Sequence, residues 1–134
     1  MGTPGTRSNK PGLTLDAGAL IAVDRGDGRM IALLAEAARR HLAVRVPAGV
    51  VGQAWRNGAR QALLARLLRA REVDIQALDE PTARAAGELC GAAGATDVID
   101  ASVVLTARPT RDTVLTSDPR DLRRLDPALR IVRV

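Results

Sequence analysis

Four aspartates stand where predicted strands end or predicted helices begin: Asp16, Asp97, Asp100 and Asp118. Asp16 closes an apolar strand near the N-terminus, and Asp118 closes a late one. Carboxylates at the carboxyl ends of parallel strands point into the crevice where open α/β sheets bind ligands. Because converging carboxylates repel one another, we expect a divalent cation to join them. An oxygen-only ligand set selects Mg²⁺ or Mn²⁺ rather than zinc.

Each of these acids also has a structural interpretation. Asp16 suits the N-cap of the helix that follows it, and Asp118, which precedes a proline, suits the start of another helix. Asp97 and Asp100 lie one turn apart on one helical face, close to a helix N-terminus that favours negative charge. That interaction explains Asp97 better than Asp100, which apolar helix residues follow. Asp121 is a weaker candidate for the site.

Strands that alternate with helices predict an α/β domain with a parallel sheet covered on both faces. The short strands are predicted at residues 13–16, 43–46, 73–78, 112–117 and 130–134. The helices are predicted at residues 17–23, 29–40, 48–56, 59–70, from Asp79 to near Gly94, 97–107 with Thr96 as its N-cap, and 119–125. The length of 134 residues fits one domain, residues 12–134, after a Gly- and Pro-rich tail, residues 1–11, that we expect to be disordered.

Composition narrows the classes of function. Trp55 is the only aromatic residue, so base stacking as in single-strand binding platforms is nearly excluded. The net charge of +5, carried almost wholly by arginine, fits a nucleic-acid partner, although a high-GC genome produces the same Arg and Ala richness. One stretch is dense in arginine and is either a solvated helix face or a phosphate-tracking surface: Arg56, Arg60, Arg66, Arg69 and Arg71.

Several other functions are disfavoured. Cys90 and His41 are each the only residue of their kind, which argues against disulfides, zinc sites and a His-dependent triad. No Gly-rich nucleotide-binding motif occurs. No apolar run approaches the length of a membrane helix, and the start of the chain lacks the apolar region of a signal peptide, so we expect a cytosolic protein without a membrane partner.

The chain resembles PIN domains, and more closely the VapC-type toxin ribonucleases of bacterial toxin–antitoxin pairs. The matching segments run in family order over nearly the whole chain beyond the tail: residues 15–22, 46–47, 100–105 and 115–118. The resemblance implies a five-stranded parallel sheet and an acidic pocket that holds Mg²⁺ or Mn²⁺. Asp16 matches the first family acid, Asp100 the third and Asp118 the fourth.

The second family acid has no counterpart of its own kind. It normally lies on the helix after Val46-Pro47, where this chain has Gln53. A glutamine can coordinate through its carbonyl oxygen but brings no charge. Asp97, one turn from Asp100, is a residue that would compensate.

The function that follows is a metal-dependent endoribonuclease with Asp16, Asp97, Asp100 and Asp118 as catalytic residues. Asp16, Asp100 and Asp118 are the metal ligands, and a metal-activated water attacks the phosphodiester. Thr116 and Ser117 are expected to hydrogen-bond the acids or the scissile phosphate. The resemblance implies an antitoxin protein as a partner, and homodimerisation is common in the family. Two alternatives stay open: a PIN-like module that binds RNA or protein without cutting, and a phosphohydrolase acting on a small phosphate ester.

Overall fold

In residues 9–134, the part of the chain that the computed structural model describes, five parallel strands form one sheet in the order β3-β2-β1-β4-β5. Their bounds are β1 Leu13–Leu15, β2 Val44–Pro47, β3 Val73–Gln76, β4 Thr113–Thr116 and β5 Arg130–Arg133. The α/β class and the five-stranded parallel sheet predicted from sequence are confirmed. The tail expected over residues 1–11 lies, as far as residue 8, outside the described residues.

Helices connect successive strands and cover the sheet. α1 and α2 join β1 to β2, α3 and α4 join β2 to β3, α5 and α6 join β3 to β4, and α7 joins β4 to β5. Their bounds are α1 Ala17–Asp24, α2 Gly28–Arg39, α3 Ala48–Ala54, α4 Ala62–Leu68, α5 Glu80–Ala93, α6 Val98–Ala107 and α7 Pro119–Leu125. A 3-10 turn, Gly58–Arg60, lies between α3 and α4, and another, Arg108–Thr110, follows α6.

The strand order places a topological switch between β1 and β4. The chain first builds outward from β1 through β2 to β3, and then crosses to the other side of β1 to add β4 and β5. The connections that leave the carboxyl ends of β1 and β4 therefore diverge and open a crevice. The residues that directly follow these two strands, Asp16 and Ser117-Asp118, lie at that crevice.

The core is aliphatic, as the near absence of aromatic residues requires. Leu15, Val46 and Leu115 of the central strands are buried completely or nearly so. α6 has buried residues on most of its faces, and it packs against β1, β2 and β4 as well as against three helices. A helix that is apolar all round belongs in a core, so α6 carries its first turn into the crevice from a fixed position.

Two local predictions were wrong. The N-cap of α6 is Asp97 rather than Thr96, because the Asp97 carboxylate accepts hydrogen bonds from the backbone N–H groups of Ile99 (2.9 Å) and Asp100 (3.1 Å). The helix predicted over residues 59–70 is a 3-10 turn followed by α4, and α3 ends at Ala54 instead of residue 56.

The buried side chain of Gln61 accounts for this second difference. Its amide oxygen accepts hydrogen bonds from the backbone N–H groups of Arg56 (2.7 Å) and Asn57 (2.9 Å), and its amide nitrogen donates to the carbonyl oxygen of Ala54 (2.9 Å). These bonds satisfy backbone groups that an extended α3 would have used itself.

At the amino ends of the strands, on the opposite side of the sheet from the crevice, a buried carboxylate connects three strands. Asp112, which directly precedes β4, pairs with Arg45 of β2 at 2.7 Å and accepts hydrogen bonds from the Thr14 hydroxyl and the Gly12 N–H, both at 2.8 Å. A buried ion pair is tolerated only when its remaining hydrogen bonds are made, as they are here. The network fixes the register of β1, β2 and β4 on which the crevice depends.

No single helix among residues 9–134 has the length and apolarity needed to cross a membrane. The segments Glu80–Ala93 and Val98–Thr110 pass that test only as a pair, by length and composition, and they meet at a bend of 105°.

Candidate active site

Asp16 is held at the crevice by the first turn of α1 and by β4. It is the N-cap of α1, and its carboxylate accepts a hydrogen bond from the Ala19 N–H at 3.1 Å. The other carboxylate oxygen accepts a hydrogen bond from the Thr116 hydroxyl. The structural role foreseen for Asp16 is therefore present, and the same contacts fix the direction of its side chain.

Gly18 allows α1 to approach the loop after β4 this closely. A Cβ atom at residue 18 would lie 2.0 Å from the Ser117 Oγ and 3.0 Å from the Ser117 backbone nitrogen. No side chain fits in that space without moving the loop. The glycine two residues after Asp16 therefore sets the distance between the two halves of the crevice.

Asp118 is the last residue of this loop and has an exposed side chain. It occupies the N-cap position of α7, but its carboxylate makes no capping hydrogen bond. Its backbone N–H donates to the Thr116 hydroxyl at 3.0 Å. Thr116 thus connects Asp16 to Asp118, and the Asp118 carboxylate remains available for a ligand.

Asp97 and Asp100 enter the crevice from the first turn of α6. Asp97 is exposed and engaged as the N-cap. Asp100 is half-buried, and its carboxylate accepts no hydrogen bond from the described residues. Ionising a half-buried carboxyl group that accepts no hydrogen bond costs free energy. Asp100 is therefore the member of this pair whose ionised form is less stable.

The acids at the ends of β1 and β4 and on α6 lie close enough to influence the titration of Asp100 and Asp16. The pKa of Asp100 is raised to about 6, mainly by burial and to a smaller degree by the negative charges of Asp97, Asp121, Asp16 and Asp118. The pKa of Asp16 is raised as well, first by burial and to a smaller degree by Asp118, against the hydrogen bond from Thr116. The ionised forms of Asp100 and Asp16 are therefore disfavoured in the folded protein, and perturbed carboxyls of this kind cluster at functional sites.

Asp121 joins this group, although the sequence ranks it only as a weaker candidate. It lies in the first turn of α7 and, with Asp97 and Asp100, lines a cavity of about 180 Å³ between α5, α6 and α7. It also lines the groove on the other side of α7, together with Asp118. Its position follows from the packing of α7 on α6 through the buried Leu122 and Leu125, which spacing along the chain does not reveal.

The donor set fits a hard divalent cation in its chemistry. All the groups are carboxylate oxygens, and those of Asp100, Asp118 and Asp121 accept no hydrogen bond from the described residues. Within residues 9–134, no three His, Cys, Asp or Glu side chains stand close enough together to hold a metal ion as they are placed. The charge and ligand type therefore suit Mg²⁺ or Mn²⁺, while the side chains are spread over the cleft.

Gln53 stands in α3 with an exposed side chain. α3 packs against the first turn of α6 at Gly49, where a Cβ atom would lie 2.4 Å from the Ile99 Cδ1. Residues four apart share a helix face, so Gln53 lies on the side of α3 that meets α6. Its side chain is neutral, so it adds no charge there.

The arginine-dense stretch at residues 56–71 does not border the acids. All five of its arginines are exposed, and none lines the cavity or the groove that contain the cleft carboxylates. The arginines that do border the acids lie elsewhere, on α7 and β5: Arg120, Arg123, Arg124 and Arg133. The sequence signal for the first three was the run Pro-Arg-Asp-Leu-Arg-Arg directly after a predicted strand.

A separate cavity of about 430 Å³ lies between the β2–β3 edge of the sheet and helices α5 and α6. Arg45, Gln76 and Leu105 are among its lining residues, and no acid of the cleft lines it. It is therefore not part of the candidate site.

Comparison with known proteins agrees with this architecture. The family model described as PIN domain matches residues 13–127. Among solved structures, VapBC2 from Rickettsia felis bound to a DNA fragment from their promoter has a TM-score of 0.66 at 16% identity, covering 91% of this chain and 98% of that one. FitAB bound to an IR36 DNA fragment has a TM-score of 0.63 at 18% identity, covering 90% and 94%.

FitAcB from Neisseria gonorrhoeae has a TM-score of 0.58 at 20% identity, covering 89% of this chain and 95% of that one. At such identities these likenesses show the fold. No curated protein sequence matches the chain significantly.

Proposed function

The chain belongs to the PIN-domain family, and from that premise we propose that it is a metal-dependent endoribonuclease, the toxin of a toxin–antitoxin pair. PIN domains are generally metal-dependent nucleases. The observation that carries the proposal is the half-buried Asp100, whose pKa is raised to about 6 in a cleft bordered by four further aspartates. Such a concentration of carboxylates at a sheet switch point is costly for stability and serves cation binding.

The proposed roles follow from the contacts of each side chain. Mg²⁺ or Mn²⁺ would be held by Asp16, Asp100 and Asp118. The carboxylates of Asp100 and Asp118 accept no hydrogen bond from the described residues. When bound, the ion would supply a water nucleophile of lowered pKa and positive charge for the phosphate. Thr116 would keep the Asp16 carboxylate directed into the cleft. Asp97, engaged as a helix cap through one oxygen, would add negative charge in place of the acid missing at Gln53.

The partners proposed for this chain are an RNA substrate, an antitoxin and a second copy of the chain. The structurally similar VapBC2 and FitAB are two-component assemblies by name, which supports a protein partner here. A protein of this kind would act in the cytoplasm as a single domain, residues 12–134. A small gene beside its own, encoding an antitoxin, would support this part of the proposal.

The test is cleavage of a mixed RNA pool by the purified protein in Mg²⁺, Mn²⁺ or EDTA, beside Asp100→Asn. Cleavage should require the metal and be abolished in the variant, because the loss of a metal ligand removes both the ion and the attacking water. Circular dichroism of both proteins checks that the fold is unchanged. Metal-independent cleavage, or full activity of Asp100→Asn, would refute the proposed site.

A second candidate function is a PIN-like module that binds RNA or protein without cutting. The observation that favours it is Gln53, which brings no charge to the position of the second family acid. The same assay separates the two candidates, since this module would leave RNA intact in every metal while it still bound RNA or protein.

A further inference from the structure

A groove of about 660 Å³ lies beside the acidic cleft, on the outer side of α7. Asp118 and Asp121 line it on the cleft side, and Arg120, Arg123 and Arg133 contribute three guanidinium groups to its walls. The acids and the arginines therefore share one continuous surface. A phosphate lying on the arginines would be adjacent to the carboxylates proposed to hold the metal.

These three arginines are exposed, and none of them pairs with an acid among residues 9–134. Three arginines elsewhere on the surface do pair, Arg39 with Glu36, Arg84 with Glu80, and Arg108 with Asp126, whereas Arg66, Arg69 and Arg71 pair with no acid of the described residues. Asp118 and Asp121 lie close by but leave the guanidinium groups unpaired. Their charge is therefore free to meet an anion from outside the chain.

α7 holds this arrangement in place. Leu122 and Leu125 bury one face of the helix in the core, so Arg120 and Arg123, three residues apart, lie together on the surface. Arg29 of α2 donates to the backbone carbonyl oxygen of Arg133 at 2.9 Å, which adds a fourth cation at the end of β5. The next arginine of α7, Arg124, instead lines the cavity on the Asp97 and Asp100 side and donates to the Gly94 carbonyl oxygen at 3.3 Å.

We propose that the substrate RNA reaches the acidic cleft over α7 and the end of β5, where Arg120, Arg123 and Arg133 contact its phosphates. This inference rests on the proposed function and adds the path of the substrate strand. No aromatic side chain lines the groove, so bases have no stacking platform there. Binding along this path is therefore sequence-tolerant and falls steeply with salt.

The experiment measures binding of a fluorescein-labelled, mixed-sequence single-stranded RNA by anisotropy over a salt series. All proteins carry Asp100→Asn, so that the RNA stays intact. One variant also carries Arg120→Gln, Arg123→Gln and Arg133→Gln. The matched control carries Arg66→Gln, Arg69→Gln and Arg71→Gln, which removes the same charge from exposed positions away from the cleft.

The variant with the three substitutions in α7 and β5 (the α7–β5 variant) should bind RNA more weakly than the parent protein, which carries Asp100→Asn alone. Its slope of log affinity against log salt should be smaller in magnitude by about 2, since each of the three phosphate contacts contributes about 0.7. The control should keep the slope of the parent. Equal losses in the two variants would overturn the proposed path, because the effect would then be one of net charge alone. Absence of salt-dependent RNA binding in the parent would also overturn it and would leave the groove to an acidic protein partner.

The outcomes separate this inference from the nuclease proposal. If wild-type protein cuts RNA while the α7–β5 variant binds like the control, the path is wrong and the proposed function stands. If that variant loses binding while the wild-type protein cuts nothing in Mg²⁺ or Mn²⁺, the path stands and the nuclease assignment fails.

Discussion

Asp100 is the cleft residue whose pKa is affected by all four of the other aspartates. It is half-buried, it receives no hydrogen bond from the described residues, and four other aspartates act on it. Its ionised form is disfavoured in the folded protein without a metal, whereas in the unfolded chain the carboxyl titrates normally. The side chain is thus a cost to folding, which binding of a cation would offset.

That cost predicts how stability depends on pH. Because the pKa of Asp100 is raised from 3.8 to about 6, the folded protein binds its proton more tightly than the unfolded chain. The contribution to stability is therefore full below the unfolded pKa and is lost as the pH rises through about 6. Asp100→Asn should stabilise the metal-free protein by about 1 kcal/mol at about pH 7, a value discounted for solvent screening of a half-exposed group.

Urea unfolding in EDTA checks this at about pH 7 and again at about pH 4, where the difference between the two proteins should largely vanish. An equal difference at both values would mean that packing, and not charge, separates the variant from the wild type.

Single residues also show where prediction from the sequence ends. Asp16 and Asp118 were predictable at the crevice because each directly follows a recognisable apolar strand. Thr96 and Asp97 are both good capping residues, and only the hydrogen bonds to Ile99 and Asp100 distinguish them. The approach of Asp121 to Asp100 depends on how one helix packs on another, which local spacing does not encode.

At the scale of elements, the crevice depends on how closely α1 approaches the loop between β4 and α7. Gly18 permits that approach, and the Thr116 hydroxyl joins the two sides through Asp16 and the Asp118 N–H. The glycine was visible in the sequence, but its contact with Ser117 was not, because the two residues are separated by nearly the whole domain.

Gly18→Ala should therefore open the crevice. The new Cβ atom would overlap the Ser117 side chain and crowd its backbone nitrogen, so the loop must move and the Thr116–Asp16 hydrogen bond is disrupted. We expect a loss of about 1–3 kcal/mol in the free energy of unfolding, as for other overpacked sites, together with a loss of RNA cleavage in protein that is still folded.

The matched control is Gly87→Ala in α5, where a Cβ atom would meet nothing within 4 Å. Alanine at an open helical position should stabilise the protein by about 0.5–1 kcal/mol. If both glycine variants behaved alike, the close approach at Gly18 would have no special role.

At the scale of the whole molecule, a negatively charged surface and a positively charged surface lie next to each other. The chain carries a net charge of +5, yet aspartates line the crevice, and arginines of α7 and β5 line the adjacent groove. Residue types alone suggested both a cation site and a nucleic-acid partner. Their arrangement required the strand order, which places β1 beside β4 and so brings Asp16 next to a loop about one hundred residues away.

The central claim is that the acids around Asp100 bind a divalent cation, and calorimetric titration with Mn²⁺ tests it most directly. Wild-type protein should show saturable binding, and so should Asp79→Asn, which alters an exposed helix cap outside the cleft. Asp100→Asn should lose binding or be weakened more than about tenfold, and Gln53→Glu should bind more tightly by adding a charged ligand. Equal binding by wild-type protein and Asp100→Asn, or no binding by the wild type, would contradict the account.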